Sequence, residues 1–174
     1  MIRKIVQRIK LFSSPRKEFY LFLKTLLDSY PENLKLYDTA VIHKSASLVD
    51  SNGNYVNNER LEYLGDAVLG AAIADFLYNR FPNQDEGYLT QMRSKLVNRN
   101  FLTQLTYQIG LDQFIDSNTT STLETSHIYG DALEALIGAI YLDKGYREAK
   151  KFITRKLLKG FVNLEEVQNT NTNY

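Results

Sequence analysis

The sequence predicts an all-α domain, and three observations carry that expectation. Apolar residues recur three and four apart through most of the chain, and proline, glycine or runs of Ser, Thr and Asn bound the segments so marked. No two alternating stretches joined by a short turn suggest a hairpin. With 174 residues, 44% of them hydrophobic, the chain suits one domain with a single core.

Ile2, Ile5, Val6 and Ile9 give the first dozen residues the pattern of a basic amphipathic helix. Docking onto the domain is the reading adopted, with a membrane-surface helix or a transit peptide as alternatives. Ser14-Pro15 resembles an N-cap followed by proline at the first helical position, starting a helix through Phe19, Leu23, Leu26 and Leu27 that Pro31 closes. A short helix covers Leu34 to Ile42. The turn-rich stretch Ser51 to Asn57 reads as a surface loop leading into a helix from Asn58 to Asn79. Pro82 and Asp85-Glu86-Gly87 interrupt the pattern before a helix bearing Leu89, Met92, Leu96 and Val97, and another from Phe101 to Ile109 ends at Gly110. Residues 116–126, almost all Ser, Thr, Asn and Glu, read as a loop. A strongly apolar helix around Asp131 and a basic helix from Tyr146 to Lys159 complete the domain. It occupies residues 1–160, and 161–174 form a polar tail or linker.

Composition removes several classes of function. Without cysteine there is neither a disulfide framework nor a thiolate zinc site, which is compatible with a reducing compartment. No apolar run approaches the length of a membrane span, and Met1 to Phe12 lacks the long apolar region of a secretory signal, so no membrane partner and a cytoplasmic location are expected. The net charge of +1 conceals a division. Residues 1–24 and 144–160 carry seven basic residues each, two thirds of the 21, and the middle is correspondingly acidic. Such a distribution suits a polyanion held at its phosphates, although solvated faces of terminal helices would look the same.

The chemistry lies in two acidic clusters. At 100° per residue Glu59, Glu62 and Asp66 fall within about 60° of one another on a helix, and Asp131 and Glu134 are neighbours on another that has almost no solvated face. Ionised carboxylates there cost several kcal/mol, roughly, unless paired or metal-bound. Oxygen-only ligands favour Mg²⁺, with Mn²⁺ as a substitute. Gly65, Ala67, Gly70, Ala71, Ala135, Gly138 and Ala139 are small enough to let the two helices approach. Ordinary capping or ion pairing with Arg60 or Arg93 stays open from spacing alone. A di-iron bundle does not fit, because it needs Glu-x-x-His on each of two helices and the sequence holds that spacing once, at Glu124 and His127. His127, four residues before Asp131, is read as a helix-start or loop residue ahead of a ligand. His43 is read as a local structural residue or a phosphate contact.

Residues Asn58-Glu-Arg-Leu-Glu-Tyr-Leu-Gly-Asp-Ala-Val-Leu69 closely resemble the signature of the ribonuclease III family, and Gly130-Asp-Ala-Leu-Glu-Ala-Leu-Ile-Gly-Ala-Ile-Tyr-Leu-Asp143 is similar to its second catalytic segment. His43-Lys44-Ser45, Asp85-Glu86-Gly87 and Arg93-Ser94-Lys95-Leu96-Val97-Asn98 add to the resemblance, which runs from about Glu18 to Leu158. It implies a helical bundle like that family's endonuclease domain. It also implies Mg²⁺-dependent cleavage of both strands of double-stranded RNA, in rRNA and mRNA processing, leaving 5′-phosphates, 3′-hydroxyls and short 3′ overhangs. Glu62, Asp66, Asp131 and Glu134 would be catalytic and metal-binding. Glu59, Glu86, His43, Lys44, Asn58 and Lys95 would be accessory or substrate residues. The family works as a homodimer, each subunit cutting one strand. Tyr63 lies on the acidic side of its helix, about 40° from Glu59 and away from Leu61, Leu64 and Val68. It matches an aromatic that in this family packs into the partner subunit.

The chain departs from the family's pattern in three places. The C-terminal double-stranded-RNA-binding domain of typical bacterial members is absent, so the chain is expected to be the catalytic domain of a longer enzyme, or else a naturally short member acting on structured ribosomal RNA. The segment Asn118 to Thr122 lacks the charge usual in that loop, which puts its part in positioning RNA in doubt. Ala67 stands where serine is common. A catalytically weak or inactive RNA-binding partner with the same fold is the rival reading.

Overall fold

A computed structural model describes residues 14–119 and 122–169. The amphipathic helix expected in the first dozen residues, and the last residues of the tail, lie outside the described residues. Helix α1 spans Lys17–Leu27. It begins later than Ser14-Pro15 suggests, because Ser14 builds a turn ahead of it: its carbonyl accepts the Lys17 N–H and its Oγ the Arg16 N–H, each at 3.1 Å. Helix α2, Leu34–Ala40, is shorter than expected by its last two residues. Its start is tied down by Asp143, whose carboxylate accepts the N–H groups of Glu32 and Asn33 and the Tyr37 hydroxyl.

A 3₁₀ turn, Lys44–Ala46, leads into a small antiparallel hairpin of β1, Leu48–Val49, and β2, Tyr55–Val56, with Leu48 opposite Val56. The expected plain loop is therefore corrected. Strands of two residues are too short to show alternation, and the turn is made by Asp50, whose Oδ1 accepts the N–H groups of Asn52 and Asn54 at 2.8 and 2.9 Å.

The long helix α3 runs Glu59–Arg80. Helix α4, Glu86–Leu96, is capped by the Asp85 side chain, and α5, Arg99–Ile109, by that of Asn98. Gly110 ends α5 in a left-handed conformation, φ +79°, and a 3₁₀ turn, Leu111–Phe114, follows. Helix α6, Thr122–Lys144, starts inside the stretch read as a loop, so that the described loop is residues 115–119. The basic segment opens as α7, Tyr146–Lys151, widens into a π-helical stretch, Phe152–Leu158, and closes as the short α8, Lys159–Phe161. Bonding from i to i+5 aligns residues five apart, which lets Phe152 with Leu157 and Ile153 with Leu158 all reach the core. Part of the expected tail is also helical: α9, Leu164–Asn169, lies against α4.

The core is built on α6. Its residues Ala132, Leu133, Ala135, Leu136, Ile137, Ala139 and Ile140 are all buried, as the sequence pattern required. Helix α3 lays Leu61, Val68, Leu69, Ala72, Ile73 and Leu77 against it. Among the described residues no helix is long and apolar enough to cross a membrane.

Candidate active site

Two glycines bring the acidic helices together. A Cβ on Gly65 of α3 would sit 1.7 Å from the carbonyl oxygen of Glu134 on α6, and one on Gly138 of α6 would sit 2.3 Å from that of Leu61 on α3. Only hydrogen fits at either position, so the backbones touch one turn from the carboxylates. Gly70, expected to help, does not: a Cβ there meets nothing within 4 Å.

At this crossing Glu62, Asp131 and Glu134 converge. Each is half-buried, and each offers a carboxylate oxygen within 4.8 Å of the others'. Burial, followed by the charges of Asp66, Asp131 and Glu62, pushes Glu134 up to about 8, against the opposing pull of Arg99. Glu62 is raised by burial, then by Asp131 and Glu59, with Lys44 and Arg99 opposing. Asp131 is raised by burial against Arg99, His127, His43 and Lys44. Asp66, one turn beyond Glu62, is exposed and stands outside the close trio, though near enough to act on Glu134. A purely oxygen donor set carrying more negative charge than its surroundings neutralise suits a hard divalent cation such as Mg²⁺ or Mn²⁺.

Glu62 and Asp131 line a cleft of about 650 Å³, and Glu134 lies beside them behind its wall. On its α3 side stand Glu59 and Lys44, whose Nζ is 3.9 Å from Glu59 Oε1. His43 is almost buried, and its Nδ1 accepts the Ser45 N–H at 3.2 Å. Asn58 is buried and used structurally: its Nδ2 donates to the Ala40 carbonyl, its N–H to that of Ile42, and its own carbonyl accepts the Glu62 N–H. It thus ties the start of α3 to the segment that presents His43.

Glu86 and Lys95, grouped with the substrate residues on the family pattern, are not among the residues lining this cleft. Glu86 sits in the first turn of α4, where Oε1 accepts the Thr90 hydroxyl. Lys95 is buried, and its ammonium donates to the carbonyls of Val167 and Gln168 at 3.2 and 3.0 Å, fastening α9.

Other residues enter that the sequence did not single out. Arg99 and Thr119 line the cleft, and so does His127, expected as a helix-start or loop residue. The loop reaches the site because a bridge between Ile42 and Asp116 pairs it with the His43 segment, while Asn118 donates to the Ser45 Oγ and carbonyl. His127 carried a signal, lying about one helical turn before Asp131. Arg99 carried none, since its place depends on how α5 packs on α6. Tyr63 is 83% exposed while Leu61 and Val68 are buried, as the helical angles required.

The chain matches the family model described as Ribonuclease-III-like over residues 33–161. It is 40% identical to Ribonuclease 3 of Bacteroides thetaiotaomicron over 174 residues, all of this chain and 56% of that protein. With Ribonuclease 3 of Azobacteroides pseudotrichonymphae the identity is 42%, over all of this chain and 66% of the relative. The chain thus spans between half and two thirds of the length of these relatives. Among solved structures, the nuclease domain of ribonuclease III from Campylobacter jejuni superposes with a TM-score of 0.69 at 33% identity, covering 80% of this chain and 96% of that one. Dicer from Pichia stipitis gives a TM-score of 0.56 at 30% identity, covering 82% of this chain and 59% of that one. With its acidic helices joined at Gly65 and Gly138, this chain belongs to the ribonuclease III family.

Proposed function

We propose that the chain is the catalytic domain of a Mg²⁺-dependent endoribonuclease that hydrolyses both strands of double-stranded RNA. The products are 5′-phosphate and 3′-hydroxyl ends with short 3′ overhangs, and the setting is rRNA and mRNA processing in the cytoplasm. One observation carries this reading: carboxylates from two helices, Glu62, Asp131 and Glu134, are held within 4.8 Å of one another, two of them, Glu62 and Asp131, lining an open cleft. Those three would hold the cation with Asp66 beside them, and Mn²⁺ would substitute. When bound, Mg²⁺ supplies Lewis-acid stabilisation of charge developing on phosphate oxygens and acidifies water.

The protein's own residues divide the remaining work. Glu134, raised to about 8, retains a proton at neutral pH until a cation replaces it. Lys44, exposed on the rim, offers an ammonium to the RNA backbone, and Glu59 restrains it. His43 and Asn58 hold the rim in register with α3.

Two copies are needed to cut two strands, and the outer face of α3 suits their meeting. Tyr63, Ala67, Ala71 and Tyr78 are exposed along it, a low surface with an aromatic side chain at each end. The Campylobacter nuclease domain is itself described as having a region involved in dimer formation.

The test is incubation of a long RNA duplex with and without Mg²⁺, with ends mapped on both strands. Staggered ends appearing only with the metal are expected. Glu134→Ala should abolish cleavage and leave RNA binding intact, because removing an acid does not weaken attraction for a polyanion. Absence of cleavage by the parent protein at low salt would overturn the reading in favour of an RNA-binding partner without activity.

A further inference from the structure

We infer that Arg99, held in position by His127, is the substrate-anchoring cation on the α6 side of the cleft, where it grips a phosphate of the RNA backbone. The inference rests on the proposed action on RNA and adds a residue that the motifs do not mark. Between Gly110 and Asp143 the sequence contains no lysine or arginine, so neither the loop nor most of α6 supplies a permanent cation to the site, and His127 is the one basic residue of that stretch. Among the described residues two permanent cations line the cleft, Lys44 and Arg99. Lys44 stands on the α3 side, engaged with Glu59. Arg99 stands on the α6 side, where its Nη1 donates to the His127 ring, with Nδ1 the nearer nitrogen.

The position is poor for a purely structural arginine. Arg99 is the first residue of α5, and a cation at a helix N-terminus opposes the helix dipole. Its side chain is exposed, and among the described residues none of the ion pairs includes it. Its charge is felt by Glu62, Asp131 and Glu134 alike, so it faces the centre where the scissile phosphate must lie. A guanidinium presents a fixed fork of donors that matches phosphate oxygens, and the imidazole beside it limits its rotamers before RNA arrives. His127 is thus a positioning residue and Arg99 a phosphate contact.

The experiment measures binding of a long RNA duplex in EDTA across a salt series, followed by steady-state cleavage in Mg²⁺. Arg99→Gln should weaken binding about ten-fold and lower the slope of log affinity against log salt by about one. In cleavage it should raise KM more than it lowers kcat. Arg99→Lys should restore the slope. His127→Ala should weaken binding less than Arg99→Gln does and have no further effect in the Arg99→Gln background. Unchanged affinity and slope in Arg99→Gln would overturn the inference while a cutting parent upheld the nuclease reading. Binding without cutting by the parent would overturn the nuclease reading and leave the anchor standing. A parent that neither binds nor cuts would overturn both. Should Arg99→Gln fail to fold, unaltered affinity and salt slope in Arg99→Met would overturn the anchor.

Discussion

Gly65 on α3 touches the backbone of Glu134 on α6 so closely that a Cβ on Gly65 would lie 1.7 Å from the Glu134 carbonyl oxygen. The glycine that sets the helix spacing is therefore in contact with the residue that carries the most perturbed acid of the site. Gly65→Ala must push the helices apart against a backbone atom, which cannot rotate away. The cost should exceed the roughly 1–3 kcal/mol of ordinary overpacking and spread the carboxylates as well. Gly70→Ala, with open space around it, should instead be neutral or stabilise the isolated subunit by about 0.5–1 kcal/mol. Denaturant unfolding of both variants checks the contrast.

The pH dependence of metal-free stability follows from Glu134. Its folded pKa of about 8 lies above its ordinary 4.5, so the folded state binds the extra proton between those values. Its contribution to stability is complete below about 4.5 and is lost as pH rises toward 8. In EDTA, raising the pH through that window should lower the melting temperature of the parent relative to Glu134→Gln, which has no proton to lose. Mg²⁺ at the alkaline end should reverse the difference. Parallel pH profiles for the two proteins in EDTA would show that Glu134 is not the titrating group.

Tyr63 is 83% exposed, so replacing it removes little from the fold of one subunit. If the α3 face joins two copies, Tyr63→Ala should weaken the dimer by about 2 kcal/mol, roughly thirty-fold in Kd, with an unchanged unfolding profile of the monomer. Sedimentation across a dilution series gives the answer, and a variant as dimeric as the parent at every concentration rules the contact out.

Lys95 makes α9 part of the domain. Deleting residues from Leu164 onward leaves a buried ammonium without two of its acceptors, at a cost of about 1–3 kcal/mol, plus the packing of Leu164 and Val167. The same deletion should cost less in a Lys95→Met background, where no charge is stranded. Equal losses in the two backgrounds, measured by thermal unfolding, would mean that the hydrogen bonds contribute nothing.

Much of the molecule could be read from residue order alone. The 3.6-residue period marked α3 and α6 and put Glu62, Asp131 and Glu134 on faces able to meet, because side-chain direction along a helix is a local property. The same geometry separated Tyr63 from Leu61 and Val68. Termination of α5 by Gly110 is likewise local chemistry, and the helix ends there. Local chemistry also misled: Ser14 looked like a cap and makes a preceding turn, while Thr122 and its polar neighbours looked like loop and start α6. Polar residues at a helix start are compatible with either state until the rest of the helix is packed.

The sequence by itself determined the helical class, the acidic faces and the small residues that let them approach. Tertiary structure decided which small residues are indispensable, Gly65 and Gly138 but not Gly70, since a steric limit exists only where another backbone arrives. It also decided the roles of the cations. Lys95 fastens α9 and does not line the cleft, whereas Arg99, thirty-two residues before Asp131 in the chain, does. Long-range charge placement depends on how α4 and α5 pack, and no periodicity within a single helix encodes it.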